Sequence, residues 1–126
     1  MCYILSITKP KGSVMSGQLN IFDGMVNNLQ AQIEQLEQDN RRLADQNAVL
    51  SNDVEHNRKY LNELANSDWQ DRKETENDIR DAEREISGNN EIIKKNNAKI
   101  QELRAQLQAQ RDLSMALNDQ IKSKRR

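Results

Sequence analysis

The stretch "NRRLADQNAVL", residues 40–50, contains the pattern that decides the fold. Leu43 and Leu50 are seven residues apart, as in the seam between two paired helices. Asn40 and Asn47 are also seven residues apart, and they occupy the second seam position of the same repeat. A sustained seven-residue spacing of apolar side chains predicts a coiled coil. An asparagine in such a seam lowers stability, but it disfavours wrong registers and wrong numbers of strands, because those would leave its amide unpaired.

The repeat extends in both directions from this stretch. It runs from Phe22 to Leu64, and it resumes from Ile79 to Ile121 in a frame offset by four residues, which is a stutter. Valine and isoleucine at one seam position with leucine at the other favour two parallel strands. The predicted interface residues are Val26, Leu29, Ile33, Leu36, Asn40, Leu43, Asn47, Leu50, Val54, Leu61, Leu64, Ile79, Ile86, Ile93, Ile100, Leu103, Leu107, Leu117 and Ile121.

These patterns divide the chain into five segments. We predict an N-terminal extension (1–19), a first coiled-coil segment (20–65), a polar stutter or hinge (66–78), a second coiled-coil segment (79–121) and a basic tail (122–126). The polar segment lacks glycine and proline, which allows one continuous helix. Its "SDWQ" motif, at 67–70, is instead typical of a capping box that opens a new helix.

Two all-α arrangements fit these segments. A long parallel coiled coil uses one continuous helix from each chain, whereas an antiparallel hairpin would lay the acidic residues 20–64 on the basic residues 88–121. The hairpin would pair Leu50 with Ile93 and Asn47 with Asn96, but its loop would span about 14 residues, which is long for two helices. We therefore favour the continuous coiled coil and keep the antiparallel helical hairpin as the alternative.

Composition and residue types argue against several classes of protein. Charged residues make up 31% of the chain and no apolar run approaches 20 residues, so no membrane span is expected. The single histidine, His56, falls at an outward position without a second ligand at metal spacing, and the single cysteine, Cys2, lies far from it in the sequence. We expect a protein that is not an enzyme and that has no catalytic residues, cofactor or metal. The lone cysteine favours a reducing compartment such as the cytoplasm.

The expected function is structural. Heptads of this kind predict binding to protein partners through the coiled coil, as a homodimer or a heteromer, in a rod, spacer or clamp. Cytoskeletal or ciliary assemblies are the first setting, and a viral or phage structural component is another. A DNA-binding zipper is disfavoured because it needs a basic helix directly before the zipper, and residues 12–40 contain no lysine or arginine. Nucleic acid is therefore not an expected partner. The alternative is a dimerising regulatory module that binds an acidic partner through Lys122, Lys124, Arg125 and Arg126.

Overall fold

The computed structural model describes the backbone of residues 11–124 and the side chains of residues 21–124. Over this range the chain forms two long helices packed against each other, α1 (Lys11–Glu63) and α2 (Trp69–Lys124), and no strand. The prediction of an all-α, coiled-coil type of fold is therefore confirmed. Cys2 lies outside the described residues, as do Arg125 and Arg126 of the predicted basic tail.

The favoured prediction of one continuous helix is wrong, because the chain leaves the helical conformation between Glu63 and Trp69. The connecting loop, "LANSD", has five residues, which is a usual length between two antiparallel helices. The loop of about 14 residues, which was the argument against a hairpin, does not occur. Asparagine, serine and aspartate bond to nearby backbone groups and thereby favour turns over helix interiors. The amide of Asp68 donates to the carbonyl of Ala65 at 3.0 Å and closes the turn.

Helix α2 starts one residue later than the predicted capping box. Asp68 directly precedes the first helical residue, and its backbone carbonyl accepts a hydrogen bond of 2.9 Å from the amide of Arg72. Aspartate is among the preferred residues at this N-terminal position. Most of the segment assigned to a stutter or hinge, from Trp69 onward, is thus regular helix. The helix also continues without a break through Gly88.

The chain divides into two compact units. The turn unit is Leu36–Ala98, which contains the loop, and the terminal unit comprises the chain up to Gln35 and from Lys99 onward. Within the turn unit the two helices are antiparallel, since Asn40 bonds to Asn97 and Asn47 to Asn90. A step of seven residues forward along α1 is matched by a step of seven backward along α2. The turn unit is therefore an antiparallel helical hairpin.

Each unit buries its own part of the apolar seam. The turn unit buries Leu43 and Val54, and the terminal unit buries Leu29, Ile33, Ile100, Leu103 and Leu107. No side chain in the described part of the chain is fully buried. This is expected where only two helices meet, because solvent reaches the seam from both flanks.

Candidate functional site

Two clusters of asparagines join the helices of the turn unit. In the first cluster, the amide nitrogen of Asn40 donates to Asn97 and its side-chain oxygen accepts from Asn96, both at 2.9 Å. In the second cluster, Asn47 donates to Asn90 and accepts from Asn89, again both at 2.9 Å. Each asparagine of α1 is therefore held between two consecutive asparagines of α2.

The chemistry of the amide group explains this arrangement. Asparagine has both a donor and an acceptor, so one side chain satisfies a partner of each kind. In each cluster the α2 asparagine that donates to α1 lies in the seam, and Asn89 is 8% exposed. The one that accepts lies at the flank, where Asn90 and Asn97 are exposed. A shift of either helix by one residue would break both bonds of a cluster, so the clusters fix the register of the turn unit.

The parallel arrangement predicts that the seam asparagines face their own copies in a second chain. They instead face α2 of the same chain, and the register of the alternative hairpin was also wrong by one heptad. Asn47 lies against Asn89 and Asn90, not against Asn96. The flanking residues Asn90 and Asn97 were not singled out from the sequence. The signal was present, because the dipeptide "NN" occurs at 89–90 and again at 96–97 with the same seven-residue spacing.

None of the predicted interface residues is exposed. The buried ones are Leu29, Ile33, Leu43, Val54, Ile100, Leu103 and Leu107. The half-buried ones are Val26, Leu36, Asn40, Asn47, Leu50, Leu61, Leu64, Ile79, Ile86, Ile93, Leu117 and Ile121.

The seam of α2 also begins earlier than predicted. Continuing the spacing of three and four residues backward from Ile79 leads to Thr75 and Arg72, which are buried and half-buried. Both residues are polar, so a search for large apolar side chains missed them. The threonine methyl group and the aliphatic stem of arginine nevertheless suit a helix seam.

Arg72 also closes the hairpin. Its guanidinium donates to the backbone carbonyls of Leu61 at 3.1 Å and Leu64 at 3.4 Å, which belong to the last turn of α1 and the loop. Helix α1 has no basic residue in its own last turn. Carbonyls at a helix C-terminus lack intrahelical partners and favour a positive charge, and here the next helix supplies it.

An ion pair along the flank of the turn unit joins the two helices. Arg58 and Glu83 are hydrogen-bonded in a salt bridge, and both are largely exposed. In a parallel dimer, Glu83 would face the like charge of Asp78 in the second chain. The hairpin gives it an opposite charge instead, although an exposed pair of this kind contributes little to stability.

The basic residues proposed to bind an acidic partner are only partly described. Lys122 and Lys124 are exposed and lie in the last turn of α2. His56 is also exposed. Within the part of the chain that the structure describes, no three histidine, cysteine, aspartate or glutamate residues are grouped so as to hold a metal ion.

The described arrangement can pair helices, fix their register and present side chains to other proteins. Over residues 11–124, no helix has both the length and the apolar character needed to cross a membrane. In comparisons with known proteins, no family model matches the chain, and no curated protein or solved structure matches it significantly.

Proposed function

We propose that the protein is a structural coiled-coil element that serves as a spacer or clamp in a larger protein assembly. The observation that carries this proposal is the pair of asparagine clusters. Replacing such amides by leucine would bury more apolar surface, so the chain gives up stability to hold one register. A fixed register matters where a protein must present its surfaces at set positions.

In the hairpin, partners would not bind through the seam, as the sequence had led us to expect. Because the seam of each unit is filled by α1 and α2 of one chain, partners would bind on the outward faces. Exposed large apolar side chains are available there, including Val49 (61% exposed), Trp69 (67%) and Ile92 (47%). Trp69, at the start of α2 beside the loop, is the kind of residue that often anchors a protein interface.

The test is to replace the four seam asparagines together by leucine, at positions 40, 47, 89 and 96. A tagged chain is expressed in its native cells, and gentle lysates are separated by size. We expect the unaltered chain to migrate with a large assembly, and the variant to be equally helical but to enter that assembly poorly, because its register is no longer fixed. A wild-type chain that migrates alone would contradict the proposal.

The regulatory alternative makes a different prediction for the same lysates. If the exposed Lys122 and Lys124 carried the binding to an acidic partner, association would fall steeply with added salt. It would also fall when both lysines are changed to glutamine. The matched control is the same change at Lys94 and Lys95, which are exposed on α2 far from its end. An effect at both pairs would mean that general charge matters, not the tail.

The cellular setting stays a prediction. Cytoskeletal and ciliary assemblies contain many coiled-coil elements, and viral or phage particles are the other setting considered. Fluorescence microscopy of the tagged chain distinguishes a location on filaments, in cilia or in particles from a diffuse distribution.

A further inference from the structure

One flank of the terminal unit carries no charged side chain along residues 21–32 of α1 and 106–120 of α2, although 31% of the chain is charged. On the same flank of α2, Lys99 and Glu102 lie just before this stretch and are exposed. We call the stretch without charges the uncharged face. It follows one flank of the helix pair, and all of its residues are exposed. They are Ile21, Met25, Asn28 and Gln32 on α1, and Gln106, Ala109, Leu113, Ala116 and Gln120 on α2.

The apolar residues of this face border an open groove. Its walls are formed by Ile21 and Phe22 of α1 and, from α2, by Leu113, Ala116, Leu117 and Gln120. Ile21 is 45% exposed and Leu113 is 52% exposed, although both are large and apolar. Ala109 and Ala116, four residues before and three residues after Leu113 on the same face, are small, which allows another helix to approach the pair closely.

The opposite flank of the same unit is different. It carries Asp23 on α1 and Arg104 and Arg111 on α2, all exposed. The absence of charge is therefore confined to one side of the terminal unit and is not a property of its whole surface.

We propose that the uncharged face binds the same face of a second copy of this chain, which gives a four-helix arrangement around a two-fold axis. In such an interface each surface meets itself, so a charged face would meet its own charge. The amides at positions 28, 32, 106 and 120 have a donor and an acceptor each and can pair with amides of the second copy. The chain already pairs amides in this way in its asparagine clusters.

The size of the face predicts how strong this dimer is. Residues 106–120 span roughly 21 Å of helix, and two helices side by side are roughly 20 Å wide, so each copy buries on the order of 400 Å². This is about half of what each partner contributes to a standard interface. We therefore expect a weak dimer, with a dissociation constant of about 10 µM or higher.

Sedimentation equilibrium of the full chain tests the proposal. Protein concentrations from about 5 µM to about 1 mM cover the dissociation constant that we expect of so small an interface. The average mass should rise from that of a monomer toward that of a dimer. Leu113→Glu should raise the dissociation constant at least about tenfold, since a charge would be buried without a partner. Met115→Glu is the control, because Met115 is 65% exposed on the same helix but does not line the groove.

A second pair of variants covers the event that Leu113→Glu loses helicity in circular dichroism. Gln32→Lys places a charge on the uncharged face and Gln101→Lys places the same charge elsewhere on the terminal unit, and both glutamines are exposed. Only Gln32→Lys should weaken the dimer. A chain that stays monomeric throughout overturns the proposal, whether the face is open, covered by residues 1–10 or reserved for another protein. Equal dimerisation of wild type and both face variants overturns it as well.

Discussion

The guanidinium of Arg72 donates a 3.1 Å hydrogen bond to the backbone carbonyl of Leu61, from the first turn of α2 to the last turn of α1. A side chain of α2 thus donates a hydrogen bond to a carbonyl at the C-terminal end of α1, across a loop of five residues. The contact links the two helices at the point where the chain reverses.

The first prediction concerns this contact. Arg72→Ala should lower the free energy of unfolding by about 1 kcal/mol, because it leaves two carbonyls without a charged donor at a half-buried position. Urea unfolding followed by circular dichroism measures the effect. Arg80→Ala is the control, since Arg80 is exposed and donates only a long 3.5 Å bond to Asn77 within its own helix. Equal losses in the two variants would show that the contact with Leu61 does not stabilise the hairpin.

The second prediction tests the register. In a chain with Cys2→Ser, the double variant Asn47→Cys with Asn89→Cys should form a disulfide within one chain, even in dilute solution. The two side chains are in contact across the seam, where β-carbons come within reach of such a bond. The double variant Asn47→Cys with Asn96→Cys represents the register that is shifted by one heptad, and it should remain reduced under the same conditions. Preferential oxidation of that second pair would mean that the hairpin register is wrong.

The third prediction concerns the energy of one asparagine cluster. Asn47→Leu alone should lower stability by about 1 kcal/mol, because it leaves the amide of the buried Asn89 without an acceptor. Asn47→Leu combined with Asn89→Leu should raise stability above wild type by a similar amount, since both polar partners are gone. Thermal and urea unfolding of Asn47→Leu, Asn89→Leu and the double variant give the coupling free energy between the two residues. Stability changes of the single variants that simply add up in the double variant would contradict the prediction.

The fourth prediction lies in the seam of the terminal unit. The side-chain oxygen of Gln110 is buried and has no hydrogen-bond partner. Gln110→Leu should raise the free energy of unfolding by about 1 kcal/mol, because it removes an unpaired polar atom and adds apolar contact. Gln101→Leu, at an exposed position on the same helix, is the control and should have little effect. A loss of stability in Gln110→Leu would show that the amide has a partner in solution.

The positions of the seam could be predicted from the sequence because they depend on local periodicity. Steps of three and four residues place side chains on one stripe of a helix whatever that stripe packs against. The same rule extends to Thr75 and Arg72, which a search restricted to apolar residues had left out. The place of the stripe is thus fixed by the helix itself, while the partner of the stripe is not.

The direction and register of pairing could not be predicted in this way. The asparagine clusters are spaced by one heptad on both helices, so the shifted register with Asn47 on Asn96 still forms one cluster. It loses the other, however, and leaves Asn40 without an asparagine partner. The five-residue loop decides between the two registers, and it depends on the turn preference of a few polar residues that are equally compatible with an exposed helix. For the same reason, the groove of the terminal unit became visible only with both helices in place.

The short loop also determines the order in which the turn unit folds. Arg72 and Leu61 are 11 residues apart in sequence, whereas Asn47 and Asn90 are 43 apart and Asn40 and Asn97 are 57 apart. The entropic cost of closing a loop rises with its length, so the contact at the turn forms first and each later contact has only a short further segment to close. Folding should therefore advance from the loop toward Asn40. Substitutions at Arg72 should slow folding, and those at Asn40 should mainly speed unfolding.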